Sequence, residues 1–224
     1  MKSFLLPFLF LITLTLPSRH GFSQSDDSPS SNPQLATDGG NFQLGLRTTF
    51  SLFGPNGYVG EGVGGQFRLQ LWDRINTEWF ADYITTNLGD LGRRQDAHIG
   101  WSVMFYPWIP TSGFVKPYIL AGHCFDYTSV NAFSSYYQDN SQETANRWSS
   151  AAQAGIGSHF FLSKRAELSF NAQYMIHFGN DIHTREVTQG DISVLQIDNT
   201  TEHSGFEGHL LITLGLHIKL ADLW

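Results

Sequence analysis

Residues Glu167–Phe178 read ELSFNAQYMIHF, and Leu168, Phe170, Ala172, Tyr174, Ile176 and Phe178 alternate there with Glu167, Ser169, Asn171, Gln173, Met175 and His177. A period of two puts an apolar and a polar set on opposite faces of an extended strand, a pattern no helix shares. The same alternation runs through Asn41–Phe53, Gly65–Trp72, Thr77–Thr86, Ala97–Phe105, Ser149–Leu162 and His209–Leu220. Val115–Tyr127 is apolar on both faces, so its orientation stays open. These segments predict eight strands with no helical pattern between them.

The connections sharpen the prediction. After strands one, three, five and seven they span Gly54–Glu61, Asn87–Asp96, Thr128–Trp148 and Gly179–Gly208. After strands two, four and six they span Asp73–Asn76, Tyr106–Phe114 and Ser163–Ala166. Short turns at one rim and longer loops at the other predict an all-β, eight-stranded, antiparallel up-and-down transmembrane β-barrel over residues 41–224. A soluble barrel that binds a small apolar ligand would show the same alternation with the faces reversed. Its outer face would then carry Lys and Glu for solubility. Here the polar face is mostly Gln, Asn, Ser, Thr, His and Gly, and only 15% of all residues are charged. The apolar face is therefore expected outside, in lipid.

Aromatic residues mark two levels along the strands. Trp72, Trp79, Phe105, Trp108, Tyr118 and Phe160 gather toward the short-turn rim, and Phe53, Tyr83, Tyr127, Trp148 and Phe178 toward the other. Amphipathic rings favour the two membrane interfaces. On the polar face, Arg47, Arg68 and Asp82 fall near mid-height, with Glu78, Glu167 and Lys219 nearer the short-turn rim. A low-dielectric lumen requires such charges to pair, so these six are the candidate lumen network.

The 224 residues carry 13 Lys+Arg against 20 Asp+Glu, a net charge of −7, without a basic run. That balance excludes nucleic acid as a natural partner. The single cysteine, Cys124, rules out an intrachain disulfide and any CxxC motif. At the amino end, Lys2, the apolar run Phe4–Leu16 and the small residues before Gln24 have the form of a secretory signal peptide over 1–23, cleaved between Ser23 and Gln24. The apolar run is too short to span a bilayer as a helix. Residues 24–40, rich in Ser, Asp and Pro, read as a flexible leader.

The ending LGLHIKLADLW sets Leu216, Ile218, Leu220 and Trp224 on one alternating face. It resembles the carboxy-terminal assembly signal of bacterial outer-membrane barrels, with Asp222 where a hydrophobic residue is usual and Trp in place of Phe. Lys116–Gly122 (KPYILAG), and Gly155-Ile156-Gly157 followed by a strand, a tight turn and another strand, resemble the opacity-protein/OmpX-like small barrels. The resemblance implies insertion into the outer membrane by the assembly machinery, with membrane lipids as partners. It also implies a role in adhesion or envelope integrity, exercised through surface loops on a ligand the sequence does not name.

Catalytic chemistry finds little footing. A lipid A deacylase or acyltransferase needs Ser, His and a carboxylate within hydrogen-bond reach. The chain has no His-x-Ser, and His203-Ser204 has the wrong spacing. His159 and Glu167 lie on neighbouring strands without a serine to complete a set. His177, Asp181, His183, Asp198, Glu202 and His203 could converge on a divalent cation, but their spacing is not compact, and His177 reads better as a lumen hydrogen-bonding residue. The glycines 60, 62, 64 and 65 lack the Lys-Ser/Thr of a phosphate loop and suit close packing at a strand entry. No cofactor, metal or catalytic residue is assigned, and a structural or surface-interaction protein is expected.

Overall fold

A computed structural model describes residues 39–52, 57–108, 114–133, 144–179, 182–198 and 208–224. The strands are β1 (Asn41–Leu52), β2 (Val59–Trp72), β3 (Ile75–Asn87), β4 (Gly92–Phe105), β5 (Val115–Ala132), β6 (Thr144–Phe161), β7 (Ala166–Phe178), β8 (His183–Gln189), β9 (Ile192–Asp198) and β10 (Gly208–Asp222). Eight of them close into an antiparallel barrel in the order β1-β10-β7-β6-β5-β4-β3-β2, and β8 pairs only with β9. Closure pairs every strand edge, which a bilayer demands because it offers no water to unpaired peptide groups.

The alternation places the apolar face outward. Leu44, Leu46, Val63, Ile99, Ile119, Ile156, Leu214, Leu216, Ile218 and Leu220 are all exposed, while Arg47, Arg68, Glu78, Asp82, His98 and Glu167 are buried inside. β5 follows the same rule: Lys116, Tyr118, Leu120, Cys124, Asp126 and Thr128 face inward, and Val115, Ile119 and Phe125 face out. Tyr118 therefore leaves the outer aromatic belt and packs edge-on against Tyr106 in the lumen. On the outside, Phe67 stacks on Trp79, and Trp79 meets Trp101, making one continuous row across β2, β3 and β4.

Several connections differ from expectation. The span 87–96 is nearly all strand, leaving a tight turn over 88–91 in which Asp90 takes a left-handed φ of 62° and donates its amide to the Asn87 side chain at 2.9 Å. Arg93–Asp96 misleads the reading because polar residues occupy both faces there. β5 and β6 likewise run on into the region read as the loop 128–148, to Ala132 and from Thr144. The span 179–208 contains the β8–β9 hairpin, whose branched residues Val187, Ile192, Val194 and Ile197 suit strands and whose turn uses Gly190 at φ 65°. The signal peptide with its Ser23–Gln24 cleavage point, nearly all of the leader, and Phe53 lie outside the described residues.

Candidate functional site: a layered, filled lumen

The inward residues form strata along the axis. Nearest the short-turn rim are Tyr106, Tyr118, Met104 and Leu120, with the Lys116 ammonium 3.7 Å from the Tyr106 ring centre. Above them lies the charge network. Arg68 Nε meets Glu78 Oε2 at 2.7 Å and its Nη1 meets Glu167 Oε1 at 2.6 Å. Arg47 Nη1 meets Glu78 Oε1 at 3.3 Å and its Nε meets Asp82 Oδ1 at 3.0 Å. Arg68 and Asp82 are thus joined through Glu78 and Arg47, not directly. Arg47 also lies over the Phe80 ring at 4.3 Å, and Thr213 Oγ1 accepts from it at 3.3 Å.

Two glycines make room for this crossing. Gly64 and Gly215 flank Arg47 in the β1–β2 and β1–β10 registers. A Cβ on Gly64 would collide with the Ala81 carbonyl oxygen and with the Asp82 carboxylate, and one on Gly215 would crowd Ser169, His217 and Gln66. The glycine run is strand, and it lets backbone and guanidinium approach closely.

Lys219 departs from the expected network. It is half-buried at the rim, and its Nζ pairs with Asp222 Oδ1 at 2.6 Å. A bulge at Phe42/Gln43 lets β1 skip Leu220 in its pairing with β10, at the level of this pair. In the terminal segment, Leu216, Ile218 and Leu220 point outward, while Leu223 and Trp224 lie beyond the strand, the Leu223 amide donating to the Gly40 carbonyl at 2.9 Å.

An apolar cluster of Phe80, Ile84, Cys124, Ala151, Met175 and Leu211 packs above most of the network, while at β3–β4 Asp82 lies directly opposite His98. Over that lies a second polar stratum that the sequence reading missed. Arg94 Nε bonds both oxygens of Asp96 at 3.1 and 3.2 Å, and Thr128 Oγ1 donates to Asp96 at 2.7 Å. Arg147 Nη2 reaches Asp126 at 3.5 Å, and His177 Nδ1 reaches it at 3.1 Å. Asp126, Thr128, Arg147 and His177 each lie two positions from an inward apolar residue (Cys124, Val130, Ala145 and Met175), whereas Arg94 and Asp96 have only glycine and polar residues at that spacing. A final apolar cluster closes the mouth, where Ile182, Leu195 and Ile197 of the hairpin region pack on Leu88, Val130, Ala132 and Ala145.

Of the residues weighed for catalysis, His159 Nδ1 lies 3.3 Å from Glu167 and its Nε2 lies 3.1 Å from the Tyr106 hydroxyl. Ser149, His177 and Asp126 do meet, but not as a relay. Ser149 donates directly to Asp126, and both Ser149 and Asp126 approach the same Nδ1 of His177, whose Nε2 faces His209 at 3.4 Å. A working relay holds serine and carboxylate on opposite ring nitrogens. Of the residues weighed for a cation, His177 faces the lumen, His183 and Asp198 pair in register on the hairpin, and Asp181, Glu202 and His203 lie outside the described residues.

By sequence, no family model and no curated protein matches the chain. By structure it is similar to a major outer membrane protein from Thermus thermophilus (TM-score 0.54, 13% identity, covering 80% of this chain and 98% of that one). It is also similar to Neisserial surface protein A (0.52, 12%, 80% and 96%) and to the N-terminal β-barrel domain of Pseudomonas aeruginosa OprF (0.50, 11%, 81% and 98%). Matches that span almost the whole of each barrel at such identities speak to architecture: this chain has the eight-stranded fold of the small outer-membrane β-barrels.

Proposed function

We propose that the chain is an exported, integral outer-membrane barrel with a structural or surface-interaction role, neither a pore nor an enzyme. The observation that carries this is the pairing of an apolar exterior with a lumen occupied by ion-paired charges and three apolar clusters. An eight-stranded barrel has an interior just wide enough for its own side chains, and here they fill it. Partners outside the cell are met by the segments at the long-loop rim, around 128–148 and 179–208, where recognition residues can vary without disturbing the barrel. Membrane lipids bathe the outer belt, and the assembly machinery reads the face made by Leu216, Ile218, Leu220 and Trp224.

Envelope fractionation combined with planar-bilayer recording tests the proposal. The protein should sediment with outer membranes, with Gln24 as its first residue, and produce no stable channels; recovery in the soluble fraction or reproducible large conductances would overturn it. Deleting Trp224 should lower the amount of inserted protein. Mass spectra of lipid A from cells with and without the protein should coincide, whereas a lost or added acyl chain would establish the enzymatic alternative.

A further inference from the structure

The second polar stratum holds one residue whose chemistry its neighbours do not complete. His98 on β4 is 1% exposed, and neither its Nδ1 nor its Nε2 has a hydrogen-bond partner among the described residues. A neutral imidazole carries one donor and one acceptor, and burying both unmet is costly. Buried carboxylates surround the ring: Asp82 lies opposite on β3, Asp126 opposite on β5, and Asp96 two residues away on its own strand. One ligand atom from each of Asp96, His98 and Asp126 falls within 4.8 Å of the others, and all three residues are buried. Asp96 and His98 project from β4 two residues apart, and Asp126 lies opposite His98 in the β4–β5 register.

We propose that Asp96, His98 and Asp126 form a site for a divalent transition cation of the zinc class. An imidazole with two carboxylates suits zinc, cobalt or nickel over calcium or magnesium, which prefer all-oxygen shells. The cation satisfies the ring's lone pair, and the two carboxylates balance its charge. His177 lies 3.1 Å from Asp126 and holds that carboxylate from the far side. Arg94 and Arg147 hold these carboxylates by ion pairs, and they compete with the cation for the oxygens. Apolar clusters pack on both sides of the stratum, so the ion enters while the chain folds or while the hairpin opens.

The test is refolding of the untagged full chain into detergent with cobalt present, followed by removal of free ion, metal analysis and visible absorption spectroscopy. One bound cobalt per chain, with d–d bands, displaced by zinc and unmoved by excess calcium or magnesium, is the expected result. His98→Gln and Asp126→Asn should each weaken binding by about tenfold or more, the scale on which even the supporting partners of metal ligands act. Arg94→Gln should strengthen it, which a merely structural pair would not do. His123→Gln, on the outward face of β5 beside Phe125, should change nothing. Folding of every variant is read from its heat-dependent mobility on gels. If a variant does not fold, the wild type still decides, because zinc must shift the His98 imidazole nitrogen resonances. Wild-type protein with less than one ion per chain, or His98→Gln binding as tightly as wild type, overturns the proposal.

Discussion

The two polar strata of the lumen are built from the same residue types and finished differently. In the lower one, Arg47 and Arg68 each bridge two acids, so Glu78 is held from both sides, and Asp82 and Glu167 close the ends. In the upper one, Arg94 pairs with Asp96 and Arg147 with Asp126, and His98 is left with both nitrogens unmet among the described residues. Among the described residues of the lower stratum, single atoms such as Arg68 Nη2 lack a hydrogen bond while every charged side chain is ion-paired. At His98 both ring nitrogens are unmet, and a member left so retains a place for something else. The lower stratum reads as a strut and the upper one as a receptacle.

The largest expected effect separates them on stability. Arg68→Met leaves Glu78 with one partner and removes the guanidinium partner of Glu167. Removing one side of a buried pair typically costs about 3–5 kcal/mol, so urea unfolding in detergent should show a loss of that order. Arg47→Met, Asp82→Leu and their double mutant should couple by about 0.5–3 kcal/mol, because these two groups touch. Arg68→Met with Asp82→Leu should couple more weakly, through Glu78 and Arg47. Coupling near zero in both cycles would show that water screens each charge separately.

That distinction marks how far the sequence could be read. Seven of the eight barrel strands, the outward apolar face and the inward position of Arg47, Arg68, Glu78, Asp82 and Glu167 follow from a period of two, which survives without knowledge of neighbours. The upper stratum does not, because above the apolar belt both faces are polar, as at Arg93–Asp96, and alternation carries no signal there. Strand β5 hid its orientation for the opposite reason: Tyr118, Leu120 and Cys124 are apolar and face the lumen. Which acid each arginine meets depends on strand tilt and register, which no single strand contains. The β8–β9 hairpin was invisible as a lid because its meaning lies in Leu195 and Ile197 packing on Val130 and Ala132 from far along the chain.

The lid provides the next test of the contrast. Leu195→Ala removes a side chain from the cluster that closes the mouth, and buried Leu→Ala changes cost about 2–5 kcal/mol when the loss is felt by the whole fold. Here the hairpin pairs only with itself, so opening it is a local event that leaves the barrel ladder intact. Hydrogen exchange should therefore rise sharply at the β8 and β9 amides and stay slow in β7 and β10. The urea midpoint should move less than for Arg68→Met. Uniform loss of protection around the barrel would mean that the lid and the barrel unfold as one unit.

The smallest effect concerns an ion pair that resembles the lower network in chemistry and nothing else. Lys219 Nζ and Asp222 Oδ1 lie 2.6 Å apart, as close as Arg68 and Glu167, yet the Asp222 side chain is 62% exposed and that of Lys219 23%. Water solvates both partners when they separate, so an exposed pair yields about 0–1 kcal/mol. Lys219→Gln and Asp222→Asn should each leave the urea midpoint nearly unchanged, and their double mutant should show coupling close to zero. The small stabilisation that remains should fade as salt is raised, since exposed charges are screened over about 10 Å at 0.1 M, while the Arg47–Asp82 coupling should hold. If the rim pair instead couples as strongly as Arg47 with Asp82 and resists salt, proximity alone sets the strength of these contacts. The burial of Arg47, Arg68, Glu78 and Asp82 would then add nothing to the strength of their pairing.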